Sequence, residues 1–279
     1  MASSADDLAA ARTALSTAVV RSAELIASLP DADARLAKSE WTVGEAASHL
    51  AIALRGFTDA ATGDAEQWRP MIPVETRYAD RVGGLNRATI AAEPRRSPAE
   101  AAEAIKSAAA GYLAATGGRD PAERIPTPWY GDGVSHSVVT ATCLLLGEQV
   151  LHGLDIAKGV GRPWSISSDD ARLVLQGIQA MMPIAVDPAA TRGLTATYKV
   201  HVGGGGSFIV RISDGTATAD IGPSDGSRVD CHIAGTPVAL VLVGYGRISQ
   251  WRAIGTGRLV AWGRKPWLGF RFVDLFFNP

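Results

Sequence analysis

The apolar residues change their period part-way along the chain, and that change limits the fold more than any single motif does. From Leu8 to about residue 183 they recur at helical spacing; from Thr195 onward they alternate. A 3.6-residue period buries one stripe of a helix, whereas a 2-residue period buries one face of a strand, so the two halves need different packing partners. Helices followed by strands predict an α+β architecture. Gly161–Arg162–Pro163 is the break, with a helical domain over 1–163 and a smaller α+β domain over 164–279.

The helical half divides at recognisable start and stop signals. Residues 6–29 repeat apolar positions at helical spacing (Leu8, Leu15, Val19, Leu25, Ile26, Leu29), and Pro30 ends the run. Thr42–Val43–Gly44–Glu45 is a capping box, in which the Thr hydroxyl and the Glu carboxylate satisfy free amides at the start of a helix running to about Thr62. A third helix is predicted over 71–91, broken by Gly83–Gly84. Another follows Ser97–Pro98–Ala99–Glu100 and ends near Gly117–Gly118. The longest starts at Ser135 or Ser137, runs to Ala157 and stops at Gly159. Helices joined in this way predict an antiparallel bundle.

One more helix is expected over 168–183, then strands at Thr195–Val202, Ser207–Ile212, Thr216–Ile221 and Arg228–Ile233. Ser213–Asp214–Gly215 is a hairpin signal. Gly203–Gly206 reads as a mobile hairpin tip, not a phosphate loop, because neither Gly-Lys-Ser/Thr nor a helix follows it. A short helix near 236–243, a strand near 256–262 and an aromatic stretch from Trp262 to Phe277 complete the chain.

Composition excludes several classes of function. With 47% hydrophobic and 20% charged residues over 279 positions, a sizeable core is expected and disorder is not. The net charge of −1, with basic groups no longer than Arg95–Arg96 and Arg264–Lys265, gives no footprint for nucleic acid or an anionic membrane. No apolar run reaches the roughly 18 residues of a membrane span, and Asp6 and Asp7 argue against a signal peptide, so a cytoplasmic protein is expected. Cys143 and Cys231 lie in apolar runs and read as packed thiols.

Among the five histidines, two stand out by position. Glu148 and His152 are four apart within a strong helix and share a face with Leu144, Leu145 and Leu151. A carboxylate on that side needs a partner, which a helical hydrogen bond or a divalent cation would provide equally well. His49 sits mid-helix between Ala46, Ala47, Leu50 and Ala53 and is expected to face the bundle core. Two imidazoles, one carboxylate and a vacant position make a familiar catalytic zinc shell, but the spacing alone leaves both readings open.

Two segments, Glu40–Ala51 (EWTVGEAASHLA) and Gly147–Trp164 (GEQVLHGLDIAKGVGRPW), closely resemble the mycothiol-dependent maleylpyruvate isomerase family, a branch of the DinB-like four-helix metalloproteins. That family pairs a histidine shortly after a W-T-V helix start with an E-x-x-x-H-x-x-D helix. The resemblance implies that His49, Glu148 and His152 are ligands to zinc or another divalent metal, with Asp155 orienting an imidazole. It implies a DinB-like four-helix bundle followed by a smaller α+β domain like sterol carrier proteins, matched here by His232–Ser249 and Gly255–Gly263. The aromatic residues Trp251, Trp262, Trp267, Phe270, Phe272, Phe276 and Phe277 would either line an apolar tunnel there or pack as core.

The implied cofactors are the metal and mycothiol, and the implied partner is a small electrophile. A thiol with pKa about 8.5 is mostly protonated at neutral pH, and zinc would deprotonate it for attack on an electrophilic carbon. Addition to a conjugated cis double bond, rotation and elimination would make an isomerase; addition alone would make an S-transferase. Anionic substrates call for a cationic clamp, for which Arg81 is singled out among Arg55, Arg77, Arg87, Arg247 and Arg252. His136 is expected to cap the ligand helix. The competing reading is a non-enzymatic carrier or sensor that binds an apolar ligand through its C-terminal domain.

Overall fold

The computed structural model describes residues 4–36, 40–74, 77–221 and 228–277. The chain forms two compact units, one ending at Ile166 and the other beginning at Ser167.

The N-terminal unit contains helices α1 (Ala5–Ala27), α2 (Val43–Thr62), α3 (Tyr78–Ala92), α4 (Pro98–Ala115) and α5 (Val138–Gly159). Both α1 and α2 pack against α4 and α5, which closes a four-helix ring, and α3 lies against α2. Alanines at the contacts (Ala11, Ala46, Ala47, Ala101, Ala102, Ala141) are fully or almost fully buried, so the helices approach closely. Leu15, Leu50, Leu54, Ile105 and Leu145 fill the ring, each worth about 2 kcal/mol of buried apolar surface. Capping boxes start α1 at Ser4, α2 at Thr42 and α4 at Ser97.

One expectation needs correction and another is narrowed. The helix predicted over 71–91 begins at Tyr78, after a 3₁₀ helix at Ala65–Met71, and it runs unbroken through Gly83–Gly84. Gly84 serves a close approach instead: a Cβ there would stand 2.5 Å from Cγ of Pro73. Of the two starts offered for the long helix, Ser137 is its cap, with Val138 the first helical residue, whereas Ser135 belongs to strand β2 (Ser135–Ser137), paired antiparallel with β1 (Arg124–Pro126).

The C-terminal unit is a mixed α/β structure. It begins with α6 (Ser168–Ala185) and contains strands β3 (Thr195–Val202), β4 (Ser207–Ser213), β5 (Thr216–Ile221), β6 (Cys231–Gly235) and β7 (Leu259–Trp262). Helices α7 (Pro237–Gly244) and α8 (Gln250–Gly255) lie between β6 and β7. The sheet order is β5-β4-β3-β6-β7, with β3 and β6 parallel and all other pairs antiparallel. Asp214 and Gly215 turn the β4–β5 hairpin with positive φ. The glycine tip joins β3 to β4, and Arg172 of α6 donates to the Gly203 carbonyl at 2.7 Å.

Ala196, Tyr198, Val200, Phe208, Val210 and Ile212 alternate onto one face of the sheet and pack with Met182, Val243, Leu268 and Phe272. Between them lies an apolar cavity of about 60 Å³, bordered by Ile178, Met182, Leu240, Val243 and Phe272. Helix α8 is absent from the sequence reading; it is only six residues long, too short for a period to register. Phe272 and Phe276 join the core, but Trp251, Trp262, Trp267 and Phe270 are exposed, neither core nor tunnel. Among the described residues no helix is long and apolar enough to cross a membrane.

Candidate metal centre

The site is assembled from two helices, α2 and α5. Thr42 accepts from the Glu45 N–H at 3.2 Å while the Glu45 carboxylate accepts from the Thr42 N–H at 2.7 Å. The next free amides, Val43 and Gly44, donate to the carbonyls of Ala34 and Ala32, both at 2.8 Å. With its start held on both sides, α2 places His49 two turns further on, facing α5. On α5, Glu148 and His152 share one face by their i,i+4 spacing.

The three side chains converge on one oxygen. Nε2 of His49 lies 3.1 Å and Nε2 of His152 lies 3.2 Å from the same Glu148 Oε2. The imidazoles meet edge to face with centroids 4.9 Å apart, and the indole of Trp41 lies 5.0 Å from one and 5.5 Å from the other. His49 is buried, whereas 33% of the Glu148 side chain remains accessible, so the cluster has a protein wall and a solvent side. Burial pushes the Glu148 pKa up, but hydrogen bonds from His152 and His49 outweigh it and hold the carboxyl far below its usual range.

This donor set fits a divalent ion. One ligand atom from each of the three residues lies within 4.8 Å of the others. Nitrogen and oxygen ligands about 2.1 Å from a tetrahedral zinc stand about 3.4 Å apart, close to the contacts seen here. Nδ1 of His49 is buried without a hydrogen-bond partner, and Asp155 Oδ2 stands 3.9 Å from Nδ1 of His152. An i,i+4 hydrogen bond alone would account for Glu148 and His152. It gives no reason for a second imidazole, from another helix, to meet the same oxygen.

The remaining sequence candidates fall elsewhere. Arg81, on α3, lines a separate cavity of about 290 Å³ with Arg69, Pro73, Pro128 and Asp132, none of them members of the cluster. Arg55 pairs with Glu93, and Arg77 with Asp80 at 2.6 Å. Arg87 approaches the backbone near Gly83. Arg247 and Arg252 belong to the C-terminal unit, where Arg247 donates to the Tyr245 carbonyl at 2.8 Å.

His136 does not cap α5, contrary to expectation; Ser137 does. Its ring is buried in β2 with Nδ1 2.8 Å from the Thr127 hydroxyl, and burial together with the nearby Arg124 charge draws its pKa down to about 4. Burial pushes the Cys143 thiol up to about 12 and raises that of Cys231, so both stay protonated and unreactive.

Trp41 is the site residue to which the sequence assigned no role, and its place directly before the Thr42 cap was the available signal. Behind the cluster, Trp164 packs on Gly153, where a Cβ would stand 2.3 Å from its ring. Its indole N–H donates to the Val150 carbonyl at 3.0 Å, and the Arg21 guanidinium lies 4.3 Å over the ring. The residue next to His152 is thereby fixed.

The fold has known relatives. The crystal structure of the mycothiol-dependent maleylpyruvate isomerase aligns over 91% of this chain and 92% of its own, at 14% identity and a TM-score of 0.49. A histidine-to-alanine mutant of that enzyme aligns over the same shares at 13% identity and a TM-score of 0.50, a likeness of fold alone. A UbiJ-SCP2 ubiquinone synthesis protein covers 37% of this chain and 93% of its own at 21% identity, with a TM-score of 0.31. No curated protein matches the chain in sequence. The family model described as the mycothiol maleylpyruvate isomerase N-terminal domain matches residues 5–157, from the start of α1 to the last turn of α5 and across all three residues of the cluster. The chain belongs to the mycothiol maleylpyruvate isomerase family by that N-terminal domain.

Proposed function

We propose that the protein is a metal-dependent, thiol-using enzyme. On this reading His49, Glu148 and His152 hold zinc or another divalent ion, mycothiol is the thiol, and the reaction is an isomerisation or S-transfer on a small electrophile, maleylpyruvate-like at its most specific. The observation that carries it is the convergence of two imidazoles from different helices on one Glu148 oxygen. A divalent ion there supplies the positive charge that favours a thiolate at neutral pH.

The chain's own residues account for the rest. Glu148 offsets part of the ion's charge, and the two histidines set its position. Asp155 orients the His152 ring through Nδ1, as carboxylates behind ligating histidines do. Trp41 covers both imidazoles and keeps water from that side. Arg81 is proposed as a clamp for a substrate carboxylate. The proposed division of labour assigns metal chemistry to residues 1–163 and a sterol-carrier-like fold to 164–279, in a cytoplasmic protein.

The carrier reading has one observation in its favour, the apolar cavity behind the sheet. Its roughly 60 Å³ is small beside the ~300 Å³ or more of ordinary ligand pockets, so the enzyme reading is preferred. Elemental analysis with a thiol titration distinguishes the two. The enzyme reading expects about one ion per chain, tighter binding of mycothiol than of a simple alkyl thiol, and loss of both ion and thiol transfer in His49→Ala. Full activity after exhaustive metal removal overturns it. A stoichiometric apolar ligand in native mass spectrometry, with no transfer to any electrophile, establishes the carrier.

A further inference from the structure

The near-zero net charge of the whole chain conceals a one-sided segment. Between Cys231 and Val273 the sequence contains Arg247, Arg252, Arg258, Arg264, Lys265 and Arg271 and no acidic residue at all. Arg264 and Lys265 both pair with the single carboxylate of Asp230, Lys265 at 3.3 Å. Arg252, Arg258 and Arg271 are exposed and, among the described residues, take part in no ion pair.

The same segment displays its largest apolar groups to solvent. Trp251 is 60% exposed, Trp267 59% and Phe270 41%, although burying such rings is among the strongest gains available to a fold. They form a cluster. The rings of Trp251 and Phe270 stack with centroids 5.3 Å apart, and the neighbouring Gln250 amide donates to the Phe270 carbonyl at 2.9 Å. Trp267 and Phe270 are three apart in the 3₁₀ turn Pro266–Arg271, so they project from the same side. Arg252 directly follows Trp251, and Arg271 directly follows Phe270.

We propose that this patch docks the protein on an anionic phospholipid surface. Indole and phenyl rings partition to the boundary between headgroups and acyl chains, and arginines beside them meet the lipid phosphates. The aromatic cluster supplies the apolar contact and the unpaired arginines supply the charge complementarity. Single-stranded nucleic acid also accepts basic and aromatic surfaces, but there stacking rings alternate along an extended basic groove. Here the rings of Trp251, on α8, and Phe270, in the 3₁₀ turn, stack on one another as a compact patch and not along a groove. The proposal requires no spanning helix and is independent of the metal centre.

The test is co-sedimentation of the full-length protein with vesicles of phosphatidylcholine alone and of phosphatidylcholine with 30% phosphatidylserine, at low and high salt. The expected result is at least tenfold stronger partition onto the anionic vesicles, reversed by salt. Trp251→Ala/Phe270→Ala should weaken it at least tenfold with an unchanged thermal melt. Arg252→Gln/Arg271→Gln, two exposed changes that leave packing intact, should remove the preference for anionic lipid. Equal or absent partition onto both vesicles overturns the proposal. So does tight binding of a single-stranded oligonucleotide without vesicle binding, or a protein dimer that the double aromatic variant abolishes.

Discussion

The two units differ in how many polar side chains they bury. Among the described residues, Ser22, His49, Thr89, Thr116, Thr127, His136, Ser137, Thr142 and Gln149 are buried in the helical unit, and Gln179, Thr191 and Asp230 in the sheet unit. The bundle gives most of its polar groups partners, such as Tyr112 with Thr142 and Ser22 with Gln149, and gathers two imidazoles around one carboxylate oxygen. The sheet unit has an apolar interior with a void in it. Desolvating a polar atom is costly unless it is matched, so a bundle that keeps this many has a polar interior in which three ligand atoms can meet.

Substitutions can break or sharpen that contrast. The largest effect is expected at the cluster. Losing one ligand in His152→Ala should weaken zinc binding by on the order of 1,000-fold, more than the ~10–100-fold typical when a residue behind a ligand is lost. His232→Ala, in the other unit, should leave it unchanged. Comparable losses in a zinc titration of the two variants would erase the distinction between the units.

Next comes pH. The folded-state pKa of His136 is drawn below its ordinary 6.5 to about 4, so the unfolded chain takes up the proton first as pH falls. Stability is therefore complete above about pH 6.5 and falls as the pH drops toward 4, by about 3 kcal/mol in total. Chemical denaturation across that window should show the decline, and it should be absent in His136→Gln.

Packing follows. Gly153→Ala forces a Cβ to within 2.3 Å of Trp164 and should cost about 2 kcal/mol. Val243→Ile, which fills part of the cavity in the sheet unit, should be neutral or stabilise by up to about 1 kcal/mol. Thermal melts of the pair report whether the two interiors differ in slack.

The smallest contrast lies between two buried tyrosines. Tyr112 shares a 2.8 Å hydrogen bond with Thr142, so Tyr112→Phe should cost about 1 kcal/mol. The Tyr198 hydroxyl is buried without a partner, so Tyr198→Phe should be neutral or slightly stabilising. Equal losses in both would mean that the Tyr198 hydroxyl has a hydrogen-bond partner, such as water.

Much of this was legible in the sequence because it is locally determined. The capping residues Thr42 and Ser97 mark their helix starts directly, and the alternation in 195–221 gives the order of three strands. Glu148 and His152 are brought together by a single helix, so their spacing sufficed. His49 needed the motif, because nothing in its own neighbourhood says which helix it faces. The failures were long-range. Gly83–Gly84 looked like a break because only the fold brings Pro73 against Gly84, and Ser135 looked like a possible helix start because the strand partners of Ser135–Ser137 lie nine to thirteen residues away. The basic, aromatic patch behind the docking proposal did not stand out because a whole-chain charge averages over the acid-free stretch from Cys231 to Val273.

The double hold on the start of α2 has a further consequence for how the chain tolerates change. Thr42 acts as an origin from which the angular position of His49 is counted, at about 100° for each residue. Insertions or deletions ahead of Ala32 alter only the path leading to that origin and can be absorbed there. A single residue added between Thr42 and His49 would turn the imidazole about a quarter of the way round the helix, away from Glu148. Length variation in relatives should therefore collect ahead of Ala32 and vanish between Thr42 and His49, a pattern that reports a fixed phase and not merely a retained histidine.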